Sequence, residues 1–173
     1  IQHMKDIIQE FFGDQPLNNS QLVKIINQKH FDRLSHLLEN QDIVIGGTGN
    51  PETLQIEPTV VDHVDQNNPL MQEEIFGPIL PILTYSHIDE AIAFINQREK
   101  PLAFYIFSHD KAIQKKLLKH CSFGGGCIND TIIHLATSEL GFGGVGHSGM
   151  GAYHGKKSFE TFSHTRSIVK KAT

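Results

Sequence analysis

The sequence predicts an α/β fold, a mostly parallel sheet covered by helices, on three observations. Short β-branched runs alternate with helical patterns in the order β-α-β-α-β between residues 77 and 130. Parallel neighbours need crossover helices, and alternation of this kind is what such a sheet produces. Gly, Pro, Asn and Asp cluster between the runs, as turns require. With 173 residues, 39% of them hydrophobic, the chain is long enough for about one domain burying roughly 70% of its unfolded surface.

Taken in order, "IQHMKDIIQEFFG" carries Ile1, Met4, Ile7, Ile8 and Phe11 at helical spacing. Gly13, Asp14 and Pro16 stop that helix. Because the pattern is under way at Ile1, with Met4 in fourth place, the chain reads as a fragment entered inside an element. A second helix is expected from Asn19 or Ser20 as cap, through Leu22, Ile25, Ile26, Phe31, Leu34, Leu37 and Leu38, to Asn40. "DIVIGG" (42–47) and "IEPTVV" (56–61) are short, β-branched and bounded by turn residues, so both read as strands. "GPILPILTY" (77–85) is a further strand. Ser86 then caps a helix with Asp89 at its third position and Ile88, Ile92 and Ile95 as its buried stripe.

"LAFYIFS" (102–108) is the next strand, and Ser108 caps a helix that runs through Ile113, Leu117 and Leu118. "GGGCIND" (124–130) is the strand after it. Residues 141–155 are Gly-rich, and "FETFSHTRSIVKK" beyond them reads as an exposed amphipathic strand or tail. The domain reading is therefore 1–160 as one body and 161–173 as a strand or tail.

Composition narrows the function classes. A formal charge of -4 gives no electrostatic case for nucleic acid. Two cysteines, Cys121 and Cys127, make no disulfide framework and fit a reducing, cytoplasmic setting. No apolar run approaches the ~20 residues of a membrane helix, and no signal peptide opens the chain. Nothing in the sequence speaks against peripheral attachment of a parent protein to a membrane.

Several motifs fail on inspection. "GFGGVGHSGMG" satisfies G-x-G-x-x-G twice, but glycines continue to Gly155 and forbid the helix that a dinucleotide fingerprint needs. The segment instead reads as a loop where backbone passes close to something. "GAYHGKKS" misses the phosphate-loop pattern at two positions, and "VIGGTGN" reads as a hairpin. Eleven histidines occur without H-E-x-x-H or C-x-x-C, so no metal site is expected. Cys127, central in a strand and without an acid-base partner in its sequence neighbourhood, reads as a buried inert thiol. His154 sits among glycines beside Tyr153, where a side chain can project into a cleft.

The pair Glu73-Glu74 before "IFGP" leaves two readings. It is either a solvated pair or a nucleoside site, since a carboxylate can accept two hydrogen bonds from a ribose diol and a nearby Phe can pack on a flat ring.

"QEEIFGPILPI", "INQREKPLAFYIFS" and "GFGGVGHSGMGAYHGKKSFETFSHTRS" together resemble the C-terminal part of an NAD(P)-dependent aldehyde dehydrogenase, in the class 3 or fatty-aldehyde branch. The resemblance runs from about Phe11 to Val169. It implies that Glu74 holds the nicotinamide ribose and that Phe76 lies beside the nicotinamide of NAD or NADP. It implies that Asn129, Ile132, Leu135, Ala136, Phe142 and His154 line a pocket for medium-chain, long-chain or aromatic aldehydes. Ala136 departs from the hydroxyl-bearing residue of some relatives, which bears on substrate preference. The resemblance also implies a catalytic-domain portion for 1–160 and oligomerisation for 161–173, where residues 163–169 resemble a strand used to form a homodimer.

The family's chemistry also needs a cysteine nucleophile, an oxyanion-binding asparagine and a glutamate base. The resemblance places all three upstream of this chain, so no catalytic residue is assigned here and the chain alone is expected to be inactive. Neither Cys121 nor Cys127 matches the nucleophile. Two other readings accompany this one: an acyl-phosphate or acyl-CoA-linked reductase of the same fold, and a non-catalytic truncated module kept for association.

Overall fold

The computed structural model describes residues 1–172. The chain divides into two compact units, Ile1–Thr84 and Tyr85–Thr173, and each is taken by itself.

In the first unit, helix α1 (Gln2–Phe12) ends at Gly13, whose N–H still reaches the Gln9 carbonyl while its φ of 77° turns the following chain out of the helix. Helix α2 (Gln28–Leu37) is shorter than its apolar pattern suggests. The Asn19 side chain accepts from the Gln21 N–H and closes a turn instead of starting a helix. Ile25 N–H is taken by the Leu54 carbonyl at 2.7 Å, which ties this segment to a hairpin. Asn27, in extended conformation, is the true cap and accepts from His30 N–H at 3.0 Å.

Strand β1 (Ile43–Ile45) is followed by the hairpin β2 (Gly49–Asn50) and β3 (Gln55–Ile56), then by β4 (Thr59–Val61) and β5 (Ile79–Pro81). The expected strand 56–61 is thus two pieces, because Pro58 offers no N–H to a ladder. The expected strand 77–85 is three residues long. β4 is central, antiparallel to β1 and parallel to β5, with Thr59 opposite Ile79 and Val61 opposite Pro81. Leu34, Ile56, Val61 and Leu70 are sealed in the core beneath this sheet. Leu34 presses so closely on Gly77 that a Cβ there would lie 2.6 Å from its Cδ1.

In the second unit, helix α3 (Ile88–Asn96) starts after His87, and Ser86 does not cap it. Glu90 reaches back to the Ser86 N–H instead, at 3.1 Å. Strand β6 (Ala103–Ile106), helix α4 (Lys111–His120) and strand β7 (Gly125–Ile128) follow. Asp110, not Ser108, caps α4, accepting from the N–H groups of Ala112 and Ile113. A carboxylate at that end is favoured by the helix dipole, which a hydroxyl exploits less. β6 and β7 pair in parallel over four residues, with Tyr105 opposite Cys127, and α4 is their crossover. Ile92, Ile106, Leu117 and Cys121 form the core.

Helix α5 (Ile133–Ala136) packs on β7, and helix α6 (Gly155–Thr161) closes the Gly-rich loop. Phe159, Glu160 and Thr161 are therefore helical, not extended, with Lys157 and Glu160 bridged at 2.9 Å. Residues 162–172 carry no secondary structure. The α/β class holds, with parallel and antiparallel pairs shared among three small sheets. No helix among the described residues is long and apolar enough to cross a membrane.

Candidate functional site

The turn after Gln72 in the first unit is built by Arg33, which α2 projects from beside its buried residues Phe31, Leu34 and Leu37. Its Nη1 meets Glu73 Oε1 at 2.6 Å, and its Nη2 donates to the Ile75 carbonyl at 2.6 Å. One guanidinium thereby holds both a side chain and the backbone of the turn. The two adjacent acids consequently separate. Glu73 is paired, whereas the Glu74 carboxylate has no hydrogen bond or ion pair among the described residues.

Phe76 follows at φ 49°, a conformation that bulky residues rarely adopt, and is 82% exposed. Both residues line a cavity of about 1160 Å³ whose apolar wall includes Leu22, Ile25 and Pro78 and which also carries Lys29 and His30. A free carboxylate, an outward aromatic ring and the nearby Lys29 ammonium suit a ribose diol, a flat heterocycle and an anion respectively. The donor set thus fits a nicotinamide nucleotide. Sequence reading missed Arg33; its signal was a lone Arg beside the apolar stripe of α2.

The second unit places the remaining candidates after β7. Asn129, at φ 58°, turns its amide onto Ser108: Oδ1 accepts from the Ser108 N–H at 2.8 Å and Nδ2 donates to the Ser108 carbonyl at 3.1 Å. Its own N–H bonds to Ile106 at 2.7 Å. The side chain continues the β6–β7 ladder by one rung. Ile132 is 59% exposed at φ 62°, an outlier for a β-branched residue, and Leu135 and Ala136 lie on the short α5 that it starts.

Phe142 and His154 come together across the Gly-rich loop. Phe142 and Tyr153 exchange backbone hydrogen bonds of 2.8 and 3.0 Å, and the Phe142 and His154 rings lie 6.0 Å apart. The loop's glycines allow this closeness: a Cβ on Gly143 would fall 2.1 Å from the Gly151 carbonyl oxygen. A helix of the dinucleotide type does not open there.

Cys127 departs from expectation. It is half-buried, not sealed, and its Sγ lies 3.5 Å from Nδ1 of His134. The partner comes from α5, seven residues on, and no local motif announces it. Cys121, by contrast, is buried, and burial pushes its thiol pKa up. No cluster of three potential metal ligands occurs among the described residues.

Comparison with known proteins places the chain in a family. The family model described as "Aldehyde dehydrogenase family" matches residues 1–168. The chain is 50% identical over 171 residues to the rat (Rattus norvegicus) protein named aldehyde dehydrogenase family 3 member A2, covering 99% of this chain and 35% of that one. It is 48% identical over 172 residues to the rat dimeric NADP-preferring aldehyde dehydrogenase, covering 99% and 38%. The solved structure titled "Substrate bound state of Staphylococcus Aureus AldH" matches with a TM-score of 0.96 at 50% identity, over 99% of this chain and 38% of that one. The chain thus spans little more than a third of these proteins' lengths. With the family model covering nearly all of its residues, the chain belongs to the aldehyde dehydrogenase family.

Proposed function

We propose that the whole protein oxidises aldehydes to carboxylic acids with NAD or NADP, and that this chain supplies the nicotinamide-ribose contact and walls of the aldehyde pocket. The observation that carries this is the Arg33 clamp, which occupies Glu73 and leaves Glu74 and Phe76 facing a large cavity. Glu74 would accept hydrogen bonds from the two ribose hydroxyls, fixing the nucleotide's rotation, while Phe76 would limit the ring's travel. NAD(P), when bound, would accept the two electrons of the oxidation.

Asn129, Ile132, Leu135, Ala136, Phe142 and His154 would bound the aldehyde's tail. The exposed Ile132 and the Phe142 ring favour apolar tails, in keeping with medium-chain, long-chain or aromatic aldehydes. The name of the rat dimeric relative supports a homodimer, and residues 163–169, without a partner strand here, are the segment we assign to pairing with a second subunit. We place the protein in the cytoplasm on its two unpaired cysteines.

The test is aldehyde-dependent NAD(P)H formation by the whole protein, with a long-chain and an aromatic aldehyde, and by the 173-residue chain alone. Turnover by the first and none by the second is expected, with Glu74→Gln lowering kcat/KM for the nucleotide about tenfold, the loss of roughly one charge-assisted hydrogen bond. Turnover by the chain alone, abolished by replacing Cys121 or Cys127, would overturn the assignment of the nucleophile elsewhere.

A further inference from the structure

The two cysteines differ in a way the proposed activity does not use. On β7, Gly125 and Cys127 are two residues apart and so face the same side of the strand. The His134 imidazole lies over that face. A Cβ on Gly125 would stand 3.0 Å from its Cδ2 and 3.4 Å from its Nε2, so the absent side chain makes the space the ring fills. From there Nδ1 reaches Cys127 Sγ at 3.5 Å.

The ring is fixed from other directions too. His134 is the buried residue of α5, only 7% exposed. Tyr105, directly across the ladder from Cys127, stands edge-on to it at 5.7 Å between centroids, and Phe142 lies at 5.8 Å. Ile132 holds φ 62° at the start of α5. Strain of that kind persists only where surrounding contacts over-determine the backbone.

His134 Nε2 is buried without a hydrogen-bond partner among the described residues, where the Cys127 sulfur is the imidazole's one hydrogen-bonding contact. A buried polar atom left unsatisfied in this way marks either strain or a functional role. A thiol beside a base, partly open to solvent, is the arrangement that makes a cysteine nucleophilic.

We propose that Cys127 and His134 form a modification site, at which the thiol adds to uncharged conjugated carbonyl compounds of the enal class. The sulfur forms a C–S bond at the β-carbon as the C=C π bond breaks. The thiol proton passes to His134 Nδ1 and from there to the α-carbon, so nothing is oxidised or reduced overall and no further reagent is needed. The ring neighbours are Tyr105 and Phe142, which suit an apolar, uncharged electrophile over an anionic one. Cys121, buried in the hydrophobic cluster with Ile92, Ile106 and Leu117, lacks both access and base.

The experiment treats the 173-residue chain with limiting trans-2-nonenal, fixes adducts with borohydride and maps them by peptide mass spectrometry. Cys127 should be modified at least tenfold faster than Cys121. Equal rates, or Cys121 first, would overturn the proposal. In a His134→Gly variant whose far-UV circular dichroism matches wild type, the Cys127 rate should fall at least fivefold and recover with added imidazole. A fall that imidazole does not restore, or no fall, would overturn the role of His134 as the base. If the variant does not fold, the wild-type ratio of the two thiols decides the matter. The outcome is independent of whether the whole protein oxidises aldehydes.

Discussion

Arg33 and Glu73, forty residues apart in sequence, are joined at 2.6 Å, and the same guanidinium grips the Ile75 carbonyl. The pair therefore fixes a turn whose free groups are its neighbours. Arg33→Ala should destabilise the chain by about 1–2 kcal/mol, the value of charge-assisted hydrogen bonds discounted for a half-exposed partner. Urea denaturation measures this. Arg33→Lys should recover only part, because an ammonium cannot span the carboxylate and the carbonyl in one plane.

Glu74→Gln should leave stability unchanged within about 0.5 kcal/mol, since its exposed carboxylate has no hydrogen bond or ion pair among the described residues. A larger loss in the same denaturation experiment would mean that Glu74 is structural, and would count against its assignment to the nucleotide.

Ile132 offers a test of stored strain. Replacing it with Gly should raise stability by roughly 1 kcal/mol, the size of the left-handed penalty for an L-residue, because little of its side chain is buried. Affinity for apolar aldehydes in the whole protein should fall at the same time, as the proposed pocket loses an apolar wall. A variant both less stable and equally active would refute both parts.

His63 sets a pH dependence. Its hydrogen bond to Asp42, at 2.6 Å, and the nearby charge of Asp62 raise its pKa above the usual value. A raised histidine stabilises the fold fully below its unfolded pKa of about 6.5 and loses that contribution as pH rises through the folded value. The stability gap between wild type and His63→Gln should therefore be wider near pH 5.5 than near pH 8. Added salt should narrow it, as both groups are exposed.

Periodicity carried the larger features. The α1 stop at Gly13, the α4 crossover and the parallel β6–β7 pair all follow from patterns of three or more residues. Local polar choices were not legible in the same way. Asp110 displaced Ser108 as cap, and Asn19 preferred a turn to a helix start, because each competition is settled by one hydrogen bond. The candidates Glu74 and Phe76 were singled out by resemblance to a family motif, but what separates Glu74 from Glu73 in the fold is an arginine forty residues earlier. His134 was invisible for a related reason. Its meaning comes from a missing Cβ on Gly125, and no spacing rule records an absence across a strand.

The Asn129 clasp has a consequence for chemical ageing. Ser108 presents one donor and one acceptor, and only a side chain with one of each can answer both. Hydrolysis of that amide to a carboxylate would keep the bond to the Ser108 N–H but set a negative oxygen against the Ser108 carbonyl. A change of one atom, nearly invisible in mass and shape, would unfasten the last rung between the two strands and release the turn that leads to Ile132. Deamidation at this one amide would thus loosen the end of the β6–β7 pair while leaving the core residues untouched.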